Sequence, residues 1–190
     1  MSDRTPPGSL SQPPEGVLPG PVASTHIFDG QIVRLRVSEY ERPSGIRVRR
    51  EVLDHHGAVV MVPIEDDHIL MVRQPRDAIQ ELMLELPAGK LDFAGEDPRA
   101  AAERELAEEV GREADNWTYM GGFYTAPAMI TEFLHLFIVS ELRPSPVLPI
   151  PEEEIEIVPV ALSQLPSLIT RVRDAKTLIG LLHTARALGI

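Results

Sequence analysis

Two rhythms of apolar residues alternate along the chain, one of period two and one of period three to four. His26–Asp29, a turn at Gly30 and Ile32–Val37 read as two strand segments. From Ile46 to Leu53 the pattern alternates, with Ile46, Val48 and Val52 on one face and Arg47, Arg49 and Glu51 on the other. Val59–Ile64 and Ile69–Val72 are apolar runs joined by the polar turn Glu65-Asp66-Asp67, which predicts a hairpin. Trp117–Tyr124, Phe133–Val139 and Ile155–Val160 read as further strands. Phe133–Val139 is almost continuously apolar, so it is expected in the middle of a sheet covered on both sides.

The helical rhythm occurs twice. Ala102, Leu106 and Val110 form one stripe, with Asp97 as N-cap, Pro98 as first helical residue and Gly111 as the stop. Leu178, Leu181, Leu182, Ala185 and Leu188 form another, with Asp174 as N-cap. Strands interleaved with helices give an α/β (α+β) class. Residues 1–23 hold six prolines and bury too little to order themselves, so they are expected to be a disordered tail. Residues 24–54 then form a strand region and 55–190 the main domain, with a Pro-rich linker at 143–151.

Composition narrows the function. Of the 190 residues, 43% are hydrophobic, which suits a globular domain, and there is no cysteine, so disulfide and thiol chemistry are excluded. A cysteine-free chain without a leader pattern or a membrane-length apolar run is expected in the cytoplasm. The net charge of −11 argues against nucleic acid as partner and demands local cations if the substrate is an anion.

The chemistry concentrates in Gly89–Arg112. Glu105, Glu108 and Glu109 sit at i, i+3 and i+4 and share a helical face. Such a face is either a solvated acidic surface or an oxygen-only ligand set suited to Mg²⁺ or Mn²⁺. Arg76, in the loop after a strand, and Arg49 or Arg50 are candidates for bidentate contacts to phosphate; a solvated strand face is the alternative for Arg49 and Arg50. The acidic run Glu152, Glu153, Glu154 and Glu156 reads as a solvated loop, and the six histidines, including the adjacent His55 and His56, as structural. Neither a nucleophile elbow nor a phosphate-binding glycine loop is present.

Gly89, Glu96 and the run Arg104-Glu105-Leu106-Ala107-Glu108-Glu109-Val110-Gly111 resemble the Nudix box, G-x5-E-x7-R-E-U-x-E-E-x-G-U with U aliphatic. Two positions depart from it: six residues rather than five separate Gly89 from Glu96, and Arg112 stands where an aliphatic residue is usual. Glu-Leu-Pro-Ala-Gly at 85–89, Gln-Pro-Arg at 74–76, Pro127 fifteen residues past the box and Asp-Ala-Lys-Thr at 174–177 are similar to the ADP-ribose pyrophosphatase subfamily.

The resemblance implies a Nudix-type α/β/α sandwich with a mixed central sheet and an N-terminal antiparallel strand region. It further implies a homodimer and hydrolysis of a nucleoside diphosphate sugar, ADP-ribose giving AMP and ribose 5-phosphate, with two to three Mg²⁺ or Mn²⁺ ions. It makes Glu105, Glu109 and the Ala88 carbonyl metal ligands, with Glu108 a third ligand or their support. Arg104 orients the glutamates, and Gly89 and Glu96 brace the loop. Glu132 is the candidate general base or third ligand, although Ala128 occupies a position where the family carries glycine. Arg76, with Arg49 or Arg50, is the candidate diphosphate clamp. Phe28 either stacks on adenine or packs in the core. NADH, GDP-mannose or a non-catalytic sensor role are the alternatives in function.

Overall fold

The computed structural model describes residues 18–30, 33–147 and 154–190. The expectations for residues 1–17, Ile32, Glu152 and Glu153 therefore lie outside the described residues. Ten strands and three helices are described: β1 (Ala23–Asp29), β2 (Arg34–Glu41), β3 (Arg47–Asp54), β4 (Ala58–Glu65), β5 (His68–Arg76), β6 (Glu81–Glu85), β7 (Ala88–Lys90), α1 (Pro98–Val110), β8 (Arg112–Tyr124), β9 (Phe133–Pro144), β10 (Glu156–Ala161), α2 (Leu165–Ile169) and α3 (Ala175–Leu188).

β1, β2 and β3 form a separate antiparallel sheet. The other seven strands make one sheet in the order β10-β5-β4-β9-β8, with β6 on β5 and β7 on β4. β4 and β9 run parallel while the remaining pairs are antiparallel, so the sheet is mixed. β9 lies between β4 and β8, as its apolar run predicts.

The period-two geometry of β4 divides the core. Val59 and Met61 pack with Ala102, Leu106 and Val110 of α1 on one face, while Val60 and Val62 pack with Leu165, Leu168, Leu181 and Ala185 of α2 and α3 on the other. Each such fully buried aliphatic side chain contributes about 1.5–3 kcal/mol. Helices on both faces of a mixed sheet give the expected α/β/α sandwich.

The differences from the sequence reading have local causes. β8 starts at Arg112, directly after α1, rather than at Trp117, because a bulge between Tyr119 and Gly122 lets one long strand stay paired with β9. β6, β7 and α2 were not anticipated: each is five residues or fewer, too short to show a period. In α3 the helical stripe is narrower than expected. Leu182 and Leu188 are exposed, and Thr177, Gly180 and Thr184 share the buried face with Leu181 and Ala185.

Candidate active site

α1 is fixed at both ends. The Asp97 carboxylate accepts a hydrogen bond from the Arg99 N–H at 3.2 Å, and Gly111 adopts the left-handed conformation, φ 64°, with its N–H returned to the Ala107 carbonyl. With its apolar stripe seated on the sheet, α1 turns Glu105 and Glu109 into a cleft of about 870 Å³. Arg76, Lys90, Glu132 and Lys176 line the same cleft.

Glu109 is buried, and its Oε2 accepts from the Ala88 N–H at 3.0 Å, which ties β7 to the helix. A Cβ at Gly89 would fall inside the Glu105 carboxyl group, so any side chain there would displace this glutamate from the place it holds. Glu108, one position short of the i, i+4 spacing, does not line the cleft; its carboxylate lies 3.8 Å from Arg104. Arg104 donates to Glu105 Oε1 at 2.6 Å and to the Lys90 carbonyl at 3.2 Å, and stands 3.5 Å from Glu96 and 3.3 Å from Asp92. Burial alone would lower the pKa of this guanidinium, but Glu105 and the other carboxylates raise it, so it stays charged. Glu96 accepts from the Asp92 N–H at 2.6 Å and so closes the loop that feeds α1.

Another part of the cleft lining is an ion network centred on the buried Glu85. Arg76 grips Glu85 with two bonds, Nε to Oε1 at 2.8 Å and Nη2 to Oε2 at 2.6 Å. Lys176 donates to Glu85 and, at 3.0 Å, to Asp174, the N-cap of α3. Asp174 also accepts from the Thr177 N–H at 2.9 Å, and the Thr177 hydroxyl accepts from the Leu86 N–H at 2.9 Å. Burial pushes the Glu85 carboxyl up, yet the bonds and charges of Arg76 and Lys176 outweigh it and hold Glu85 below the usual carboxylate range. Asp174 is lowered in the same way, burial opposing and Lys176 with Thr177 prevailing.

The third wall is the loop between β8 and β9. Thr125 donates to Glu132 Oε2 at 2.7 Å. Positive φ outside glycine occurs, among the described residues, only at Asp66, Asp67, Gln80, Glu141 and Glu154. Ala128 therefore sits in ordinary backbone, and this loop path does not require the glycine usual there.

Phe28, Arg49 and Arg50 do not line the cleft of their own chain. Phe28 is 58% exposed on β1, an edge strand with every residue exposed, so it does not pack in the core of its own chain. Arg50 instead faces a pocket with Arg36, Tyr40 and Met129. Lys90, Lys176 and Glu85 are the groups that sequence reasoning missed. The only signal for the last two was the pair of motifs that contain them, at 85–89 and 174–177.

The donors suit a hard divalent cation: Glu105 and Glu109 on one rigid helix, facing Glu132, with no sulfur nearby. Among the described residues no three His, Asp or Glu side chains are already gathered as a ligand cluster. Arg104 donates to Oε1 of Glu105, so a cation held there would share this carboxylate with the guanidinium.

A NUDIX domain model matches residues 54–179, more than half of the chain. The chain belongs to the Nudix family. The Nudix box is therefore the Gly89–Arg112 segment just described, and both of its departures have a structural home. The extra residue sits in the Leu91–Asp97 loop, where Gly95 takes φ 86° and Glu96 bonds back to Asp92. Arg112 leaves the core and forks onto Glu65 at 2.9 and 3.1 Å.

This Nudix chain is 34% identical over 163 residues to a methanol dehydrogenase activator of Bacillus methanolicus, covering 83% of this chain and 88% of that one. It is 39% identical over 122 residues to the ADP-ribose pyrophosphatase of Bacillus subtilis (strain 168), and 40% over 123 residues to that of Mycobacterium tuberculosis. These two alignments cover 64% of this chain and 65% and 59% of the relatives, slightly less than two thirds of their length. A crystal structure described as an ADP compounds hydrolase superposes with TM-score 0.79 at 23% identity, over 92% of this chain and 97% of the other, and shares the fold.

Proposed function

We propose that this Nudix protein hydrolyses the diphosphate of ADP-ribose, giving AMP and ribose 5-phosphate, with Mg²⁺ or Mn²⁺ as cofactor. One observation carries the reading: a single cleft gathers the carboxylates Glu105, Glu109 and Glu132 and the cations Arg76 and Lys176. That is the arrangement a diphosphate between two cationic regions needs.

Two to three divalent ions, held by Glu105, Glu109 and the Ala88 carbonyl with Glu132 as a further ligand and Glu108 as support, would supply charge neutralisation and Lewis acidity. The protein does the rest. Arg76 and Lys176 orient the phosphates from the wall fixed by Glu85. Arg104 balances the charge of the box glutamates. Glu132 accepts the proton of the attacking water, and Thr125 holds that carboxylate by its Oε2. No cysteine and no serine elbow is needed, because water is the nucleophile. On this reading the protein works in the cytoplasm as a homodimer. Phe28, by stacking on adenine, and Arg49 or Arg50, as the second arm of the diphosphate clamp, then serve the cleft of a second copy, since none of the three lines the cleft of its own chain.

The 39% and 40% identities to ADP-ribose pyrophosphatases support this substrate over NADH or GDP-mannose. Purified protein with Mg²⁺ is expected to release AMP from ADP-ribose with a higher kcat/KM than for NADH or GDP-mannose. Glu109→Gln is expected to lower kcat by at least a hundredfold (on the order of the loss from removing one group that stabilises developing charge). Full activity in Glu109→Gln would sink the metal assignment. The similarity to the methanol dehydrogenase activator supports a second reading, in which the chain stimulates a dehydrogenase. Stimulation of an alcohol dehydrogenase that survives Glu109→Gln would favour it as a role separate from hydrolysis.

A further inference from the structure

We infer that His55 positions Glu132, holding the carboxylate in the orientation in which it meets the attacking water. The inference rests on the hydrolase reading above and assigns a role to a residue that the sequence places only as structural.

The first support is the tautomer. The Gly57 N–H donates to His55 Nδ1 at 3.0 Å, so Nδ1 carries the lone pair and the neutral ring carries its proton on Nε2. Nε2 faces Glu132 Oε1 at 3.6 Å. The other oxygen of that carboxylate, Oε2, is held by the Thr125 hydroxyl at 2.7 Å. Glu132 is thus addressed on both oxygens by donors from different segments. The Nε2 contact is longer than a hydrogen bond, and contacts of this kind commonly tighten when substrate arrives.

The second support is the way His55 itself is held. Its N–H donates to Thr131 Oγ1 at 2.8 Å, and the same hydroxyl donates to the His55 carbonyl at 3.2 Å. Thr131 N–H donates to the Leu53 carbonyl at 3.0 Å, and Leu53 N–H to the Met129 carbonyl at 2.8 Å. The end of β3 and the loop that carries Glu132 are therefore laced together, Leu53 and His55 on one side and Met129 and Thr131 on the other. The His55 side chain is only 13% exposed, so its ring is confined to this contact. A histidine that merely filled space would not need its Nδ1 satisfied by backbone and its Nε2 turned onto a carboxylate in the cleft.

The test combines kinetics with a measurement independent of turnover. In ¹⁵N NMR of the full chain, His55 is expected as the Nε2–H tautomer, with its Nε2 resonance shifting on Glu132→Gln. An Nδ1–H tautomer, or no shift, would overturn the inference. His55→Ala is expected to lower kcat roughly tenfold, the scale of removing a residue that orients a reacting group, with KM unchanged. His55→Gln, whose amide can donate from the Nε2 position, is expected to recover most of that loss, whereas His55→Leu is not. In the Glu132→Gln background the His55→Ala effect is expected to vanish. Equal, additive losses for Gln, Leu and Ala would mean a structural role only. A wild-type chain inert toward ADP-ribose would instead remove the hydrolase reading, and the NMR shift would still decide the contact.

Discussion

At Gly89 the space a methyl group would fill already belongs to the carboxyl group of Glu105. The obstacle to Gly89→Ala is therefore the end of a flexible side chain rather than backbone, and Glu105 yields before the fold does. The expected result splits accordingly. Stability falls by about 1–3 kcal/mol, the usual cost of overpacking, and kcat falls about a hundredfold, the scale for misplacing a reacting group by an ångström. Thermal melts and steady-state kinetics on the same preparation check this; an unchanged kcat would show that Glu105 does not act from the position it occupies here. The spacing of Glu105 and Glu109 was legible because i, i+4 is a property of the helix itself. That Glu108 stands outside the cleft was not legible, because i+3 and i+4 share a face with i and only the seating of the apolar stripe on the sheet fixes which way that face turns. The bond from Lys176 to Glu85 was not legible, because the two lie 91 positions apart and no periodicity links them.

Between elements, the decisive device is the ion network that joins β5, β6 and α3. Glu85 is 1% exposed and is the common partner of Arg76 and Lys176. Its pKa and that of Asp174 are lowered in the fold. A lowered carboxylate pKa adds stability that is fully present above the unfolded value, about 4, and is lost as pH falls through the folded value. The melting temperature is thus expected to hold near neutrality and to drop on the acid side of about pH 4. Glu85→Gln is expected to cost about 3 kcal/mol at neutral pH, by leaving two cations without their shared carboxylate, and to flatten the acid limb. A variant whose melting curve keeps the wild-type pH dependence would place the acid sensitivity elsewhere. The long elements of the fold were legible from periods of two and 3.6. β6 and β7 were not, since three to five residues cannot display a period, and their strand character comes from pairing with β5 and β4.

For the whole molecule, charge and surface act together. A net charge of −11 repels a diphosphate at long range, while the cations of the cleft act only nearby. With the screening length falling from about 30 Å at 10 mM salt to about 8 Å at 150 mM, kcat/KM for ADP-ribose at saturating Mg²⁺ is expected to rise with added inert salt. A steady fall would mean that the cleft cations govern approach. The surface supplies the second constraint. β1 is one edge of the three-stranded sheet and exposes Ile27 and Phe28 at 56% and 58%, with Val33 also exposed after the turn that follows it. An edge strand with apolar side chains is a pairing surface unless something covers it. The second copy proposed above would cover it and, in the same step, account for Phe28 lying away from its own cleft. Sedimentation at micromolar concentration is expected to give twice the chain mass. Ile27→Asp is expected to shift the protein toward monomer and to raise KM for ADP-ribose more than it lowers kcat, because adenine contacts are lost while the box is untouched. A wild-type monomer with full activity would leave Phe28 without a substrate to touch, and the adenine grip would then have to come from the cleft's own walls.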